Sequence, residues 1–439
     1  MFRLPELRTT VASVEFANPF ILGCGPPTRD AERIIRAAKM GWAGAVHKTV
    51  VIPPTKDPTP HIILRNIDGY PFINQNIELL TTYPVEQWEK WIKEIKTKAP
   101  SDFILISSIM GSPEPETWIE PLQRVQEAGT DFVELNVSCP HGSPEKYMGA
   151  YIGQNAELVG RIVATVKKYA KVPFSVKFTP IVTDIKPIAL SAHTAGNDIF
   201  TIANTHGTGI IGIDIFKDEP LPSVKGLSTP GGLSGPAIKP TVLRLIHEVS
   251  EAVPGAEIFG LGGVVSWYDA VEHMMVGAKA VQLVTAVMWF GFGIINNLVD
   301  GMLNYMKERK FTSVEEIIGR VRSKIVPHSS LEFEQWGATF VDPEKCIACG
   351  KCLDPCKDAG GGALYYDSDA KVVRSNTKDC IGCGLCINLC PTGAIKLLPK
   401  EEAEKKYNES LLKPVPSLSS RLHKAYERDH VEPITKSLK

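Results

Sequence analysis

No run of 18 uncharged apolar residues occurs in the sequence, so no membrane-spanning helix is expected. The longest apolar stretch, near Ala280 to Ile295, is interrupted by Gln282, Thr285, Gly291 and Gly293 and reads as a buried strand followed by a helix. The opening residues, MFRLPELRTTVASVEF, lack the apolar core of a signal peptide, and a cytoplasmic location is the expectation. Excess charge is missing too. Lys and Arg number 48 against 49 Asp and Glu, a net charge of −1, and no dense basic block is present to track a phosphate backbone. Neither nucleic acid nor a membrane is an expected partner. No G-x-G-x-x-G opens a strand–helix unit, GCGPPT (23–28) and GLGGVV (260–265) being poor matches, so a dinucleotide site of the chain's own is not expected. Cysteine is scarce outside one segment: of ten, only Cys24 and Cys139 precede residue 346. Without a secretory signal, metal binding explains the other eight better than a disulfide framework does.

What is present is a regular alternation. Short apolar runs stand at PFILGC (19–24), GAVHKT (44–49), FILISS (103–108), FVELNV (132–137), PFSVKF (173–178), DIFTIA (198–203), EIFGLG (257–262) and AVQLVT (280–285). Helical patterns lie between them, among them 31–40, 156–170 and 267–276. Strand–helix alternation implies a parallel sheet, and eight repeats fit an α/β fold of the (β/α)8 TIM barrel type, with a doubly wound open sheet as the alternative. The expected domains are a barrel over 1–310, a helical linker over 311–340 with its helix at 314–325, a small α+β cysteine-rich domain over 341–397, and an extended tail over 398–439 that wraps a surface or a partner. Barrel chemistry gathers at the C-terminal strand ends. Here those ends carry Cys24, Lys48, Ser107, Asn136, Lys177, Asn204 with Thr205, Gly262 with Gly263, and Thr285, and so many polar or permissive residues exceed what strand capping needs.

The cysteine-rich domain repeats one spacing, C-x2-C-x2-C-x3-C, at Cys346, Cys349, Cys352 and Cys356 and again at Cys380, Cys383, Cys386 and Cys390. This is the arrangement of a bacterial two-cluster ferredoxin, in which the fourth cysteine of each run serves the other cluster. One [4Fe–4S] cluster is thus assigned to Cys346, Cys349, Cys352 and Cys390, the other to Cys380, Cys383, Cys386 and Cys356. Zinc knuckles are the alternative, although two cysteines per knuckle would suffice for them. The first run lacks the proline that follows the second, which alters a turn and removes no ligand.

Clusters that carry single electrons beside a two-electron site call for a flavin. Phosphate cradles in barrels come from the loops after strands seven and eight, here GLGGV (260–264) and VTA (284–286), and GGLSGPAIKP (231–240) adds a glycine-rich turn that opens a helix. Lys177 sits inside an apolar strand and needs a partner, either a structural carboxylate or a reduced flavin's N1/C2 edge. Lys48 has the same two readings, and His47 beside it reads as core. Cys139 ends a strand pattern in ELNVSCPHG (134–142), where a thiol is either inert and buried or poised for chemistry.

The segments NPF (18–20), HKT (47–49), NIEL (76–79), ELNVSCPHG (134–142), GQ (153–154), VKFTP (176–180), ANT (203–205) and GGLSGPAIKP (231–240), followed by the fused two-cluster unit, resemble the dihydropyrimidine dehydrogenase family, in particular the catalytic subunits of its bacterial NAD-dependent members. The likeness covers residues 1 to about 397. It implies FMN in the barrel, two [4Fe–4S] clusters feeding it, and reduction of the 5,6 double bond of uracil or thymine. Carried over by position, it implies Cys139 as the general acid–base that protonates C5. It also implies Asn76, Asn136, Ser138, Asn204 and Thr205 at the substrate. The implied FMN contacts are Cys24, Lys48, Thr49, Lys177, Gly235, Gly262, Gly263, Thr285 and Ala286. An FAD- and NAD(P)H-binding electron-transfer subunit, or ferredoxin, is the implied partner in a hetero-oligomer.

Departures keep other readings open. GCGPPT around Cys24 has its own glycine-proline character, which leaves Cys24 as a backbone contact only, and His206 follows Thr205 where an imidazole would alter substrate choice. The rivals are a dihydroorotate dehydrogenase, against which PHG after Cys139 and the fused clusters speak, an FMN and iron–sulfur reductase of another activated double bond, and a pure electron-transfer subunit with a structural barrel.

Overall fold

The computed structural model describes residues 4–140 and 147–431, so His141 and Gly142 of the ELNVSCPHG motif and the last eight residues of the tail lie outside the described residues. The chain divides into two compact units, one running to Ile325 and the other starting at Val326.

In the first unit eight parallel strands close into a barrel: β1 (Phe20–Leu22), β2 (Gly44–Val46), β3 (Ile104–Ile109), β4 (Phe132–Asn136), β5 (Phe174–Phe178), β6 (Ile199–Ile202), β7 (Glu257–Leu261) and β8 (Ala280–Leu283). Each lies within or overlaps one of the eight apolar runs, and β8 pairs with β1 through Val281 and Phe20 to shut the ring. The strands are buried on both faces, which is why they read as unbroken apolar runs and not as alternations. Helices such as α1 (Ala31–Lys39), α2 (Ala156–Tyr169) and α3 (Trp267–Met275) start where the pattern places them, with Asp30, Asn155 and Ser266 accepting from backbone N–H groups in the first turn.

Two features depart from expectation in this unit. A four-stranded antiparallel sheet, in the order His206–Gly209, Gly231–Ser234, Tyr70–Asn76 and Ile62–Ile67, is inserted in the loops after β2 and β6. Its hairpin turns on Asp68 and Gly69, both at positive φ, the geometry that an Asp-Gly pair favours. The helix expected over 314–325 is instead a pair of 3-10 turns at Val314–Glu316 and Arg322–Lys324. Gly319 at φ +72° breaks the run, and the backbone bonds go elsewhere: Gly319 N–H donates to the Met274 carbonyl (2.9 Å) and Val321 N–H to that of Met275 (3.2 Å).

In the second unit the strand Gly337–Val341 pairs antiparallel with Ile395–Pro399, and Leu364–Asp367 pairs with Val372–Ser375. Short helices at Leu353–Ala359 and Leu385–Leu389 carry Cys356 and Cys386 of the two cysteine runs. The tail is not extended over its described length. It forms helices at Lys400–Leu412 and Leu418–Val431, the first burying Ala403 in the unit's core. Its charged residues are also strong helix formers, so high charge masked a helical preference. No helix among the described residues is long and apolar enough to cross a membrane.

Candidate active site

The strand ends of the barrel surround an open cavity. Cys24, Lys48 and Thr49 reach it from the ends of β1 and β2, and Asn136, Cys139, Lys177, Asn204 and Thr205 from those of β4, β5 and β6. Gly235, Gly262, Gly263 and Thr285 line it as well, and the inserted sheet delivers Asn76. Three expected residues do not line it. Ser138 is fully buried and donates to Asn136 Oδ1 while accepting from Asn204 Nδ2, both at 2.9 Å, so it orients two amides of the site. Ala286 is buried one residue beyond Thr285. Ser107 faces away and donates to Thr130 Oγ1 (2.9 Å), because strand side chains alternate; its neighbour Ser108 bonds Thr49 Oγ1 (2.9 Å) instead. His206 lines a separate cavity with Gln154 and Pro180, which removes it from the pocket where it was expected to influence substrate choice.

A chain of hydrogen bonds fixes the polar groups. Asn136 Nδ2 donates to Thr49 Oγ1 (2.9 Å), which lies 3.2 Å from Cys24 Sγ, and Asn204 Nδ2 also reaches Asn136 Oδ1 (3.3 Å). Cys139 is buried at 8% exposure, takes part in no disulfide, and has its carbonyl held by Ala150 N–H (3.0 Å).

Both lysines are paired. Lys48 Nζ lies 2.7 Å from Glu78 and Lys177 Nζ 3.1 Å from Glu134, all four side chains buried. Glu134 also accepts from Thr201 (2.9 Å) and Gln282 (3.0 Å). Burial by itself would lower the Lys177 pKa, yet the Glu134 carboxylate, with help from Cys24 and Cys139, holds it above the usual lysine value, so the ammonium stays charged. Glu78 and Glu134 stand in the motifs NIEL and ELNVSCPHG without having been given roles. The signal was available: a lysine inside a buried strand requires an acid nearby.

The residues present fit a flavin phosphate. Gly235, Gly262 and Gly263 have φ of +98°, +127° and +78°, and a Cβ on Gly263 would stand 2.5 Å from Lys239 Cβ, so only bare backbone fits that turn. Thr285 Oγ1 donates to Ser234 Oγ (2.9 Å), joining the β8 loop to the glycine-rich turn. Gln282 Oε1, on the cavity lining, is buried with no hydrogen-bond partner among the described residues and is available to a bound ring.

In the second unit Cys346, Cys349, Cys352 and Cys390 together line one small cavity. Four sulfur-bearing side chains around one space suit the ligand count of a cubane. Burial, together with Cys346, Cys349 and Cys390, pushes the Cys352 thiol up to about 12. Burial with Cys356, Cys380 and Cys383 pushes Cys386 up to about 11. Cys352 thus stands among Cys346, Cys349 and Cys390, and Cys386 among Cys356, Cys380 and Cys383. Backbone N–H groups of Val373, Thr339 and Ala394 donate to the sulfurs of Cys346, Cys380 and Cys390 at 3.3–3.4 Å.

Residues 6–306 match the dihydroorotate dehydrogenase family, and residues 339–397 match the 4Fe-4S dicluster domain. The chain is 33% identical to the NAD-dependent dihydropyrimidine dehydrogenase subunit PreA of Escherichia coli K12, over 89% of this chain and 95% of that protein. It is 34% identical to the chloroplastic dihydropyrimidine dehydrogenase (NADP(+)) of Arabidopsis thaliana, over 84% and 88% of the two chains. It is also 35% identical to the dihydroorotate dehydrogenase B (NAD(+)) catalytic subunit of Pyrococcus abyssi, over 71% and 98%. In fold it resembles the dihydroorotate dehydrogenase of Eimeria tenella solved with ferulenol, at a TM-score of 0.60, 20% identity, and coverage of 72% of this chain and 89% of that one.

Proposed function

This chain belongs to the dihydroorotate dehydrogenase family, as an oxidoreductase acting on CH–CH groups with FMN and two [4Fe–4S] clusters, and from that premise we propose that it interconverts uracil or thymine and the 5,6-dihydropyrimidine. The observation that carries the substrate class is the charge state of the pocket. Among the described lining residues, the two cations, Lys48 and Lys177, are each paired with a buried glutamate, and the neutral amides Asn76, Asn136 and Asn204, with Thr205, line the same pocket. Carboxamides offer a donor and an acceptor each, matching the donor and acceptor edge of an imide, whereas a carboxylate-bearing substrate would ask for an uncommitted cation.

FMN, when bound and reduced, would supply the hydride, and the clusters would supply electrons one at a time. The protein supplies the rest. The Cys139 thiol gives its proton to C5, and the resulting thiolate is reprotonated from solvent, so two electrons and two protons are taken up in all. A thiol, with an ordinary pKa of roughly 8.5, can give and retake a proton near neutrality. Asn136 and Asn204, held by Ser138 and Thr49, fix the ring in place. Lys177, kept charged by Glu134, would stabilise the negative charge that a reduced flavin carries. Cys24, Lys48, Thr49, Gly235, Gly262, Gly263 and Thr285 complete the FMN site. The electrons come from an FAD- and NAD(P)H-binding subunit or from ferredoxin; the E. coli relative is itself named as a subunit.

The test is anaerobic photoreduction of the holoprotein followed by reoxidation with uracil, thymine or orotate. Uracil or thymine should restore the oxidised flavin spectrum within seconds. Reoxidation by orotate alone would overturn the assignment.

A further inference from the structure

The tail residue Arg421 is 1% exposed, and among the described residues no carboxylate pairs with it. Its guanidinium is satisfied by main-chain oxygens instead. Nε donates to the Pro416 carbonyl (2.9 Å), Nη1 to the Cys346 carbonyl, and Nη2 to the carbonyls of Lys371 (2.9 Å) and Ala370 (3.5 Å). Cys346 is the first ligand of one cluster set, and Val373, two residues beyond Lys371, donates its N–H to Cys346 Sγ (3.4 Å). The same fork thus holds two backbone segments that meet at one ligand sulfur. Burying a full positive charge on carbonyl dipoles alone is costly, and a capping role would not require it.

We propose that Arg421 sets the reduction potential of the cluster held by Cys346, Cys349, Cys352 and Cys390, raising it above the value its ligands alone would give. A [4Fe–4S] cluster gains one electron, and one unit of negative charge, on reduction. A permanent cation next to a ligand backbone, shielded from water, stabilises the reduced form, and the sulfur hydrogen bond it braces acts in the same direction. Arg421 is a positioning and electrostatic residue and touches no substrate. The inference rests on the two-cluster domain and not on the identity of the pyrimidine, so failure of the substrate assignment leaves it standing.

The full-length holoprotein is titrated anaerobically with dithionite as the electron donor, and low-temperature EPR follows each reduced cluster. In Arg421→Gln, one cluster's ratio of reduced to oxidised form at fixed potential should fall about tenfold, a 59 mV drop for one electron, while the other cluster is unmoved. Arg421→Lys keeps the charge while losing the fork, and should restore most of the ratio. Unchanged potentials in Arg421→Gln, or equal shifts in both clusters, overturn the proposal. If Arg421→Gln does not retain the cluster, Arg421→Lys decides: a potential near wild type supports the proposal, and a shifted potential or a lost cluster overturns it in favour of a structural clamp.

Discussion

Lys177 on β5 and Glu134 on β4 form an ion pair, Nζ to Oε1 3.1 Å, sealed inside the barrel directly behind the candidate flavin site. Neither charge is tolerable there alone. Thr201 and Gln282 occupy the other carboxylate oxygen, so Glu134 is fully engaged and Lys177 keeps donor capacity toward the cavity.

Glu134→Gln should therefore lower stability by about 3–5 kcal/mol, as breaking a buried pair does. Because the Lys177 pKa is raised in the folded state, its contribution is complete below the ordinary lysine value and is lost as pH rises through the folded one. Urea unfolding of both proteins at pH 7 and at about pH 11 checks this: a large gap at neutrality should narrow under alkali.

Cys139→Ala should bind FMN normally and lose turnover by roughly 10² to 10⁴. Steady-state rates alongside the flavin content of the purified variant separate the two properties. Near-normal turnover would remove Cys139 from the reaction.

Gly263→Ala places a side chain at φ +78° with its Cβ 2.5 Å from that of Lys239. The left-handed strain alone is about 1–2 kcal/mol, and the turn must shift to relieve the contact. FMN affinity, read from the fluorescence of released flavin, should weaken by about tenfold or more, with the clusters unaffected.

Cys386→Ser should halve the iron content, since the set completed by Cys356, Cys380 and Cys383 loses a thiolate while the other is intact. With Cys352 at about 12 and Cys386 at about 11 without iron, both thiols are protonated at neutral pH. Iron loading must then expel protons, and reconstitution of the apoprotein should run faster at pH 8.5 than at pH 7. Iron assays over a time course test both statements.

Local order along the chain is enough to read the eight barrel strands, the two-cluster domain and the glycine turns at Gly235, Gly262 and Gly263. Each is announced within a few residues: an apolar run as long as a strand, a ligand every third position, a glycine where φ must be positive. The Asp68–Gly69 hairpin was equally local and passed unread, so the sheet that carries Asn76 was missed. Other features could not be read this way. Glu78 meets Lys48 and Glu134 meets Lys177 because of loop insertion and strand register, and Ser108, not Ser107, faces Thr49 because one residue's shift reverses a strand side chain. Arg421 lies 75 residues from Cys346, whose carbonyl it engages, and nothing near either residue in the chain announces the contact. Ligand spacing and glycine turns express the steric rules of short peptides, whereas the pairing of buried charges is settled when the barrel closes and water leaves.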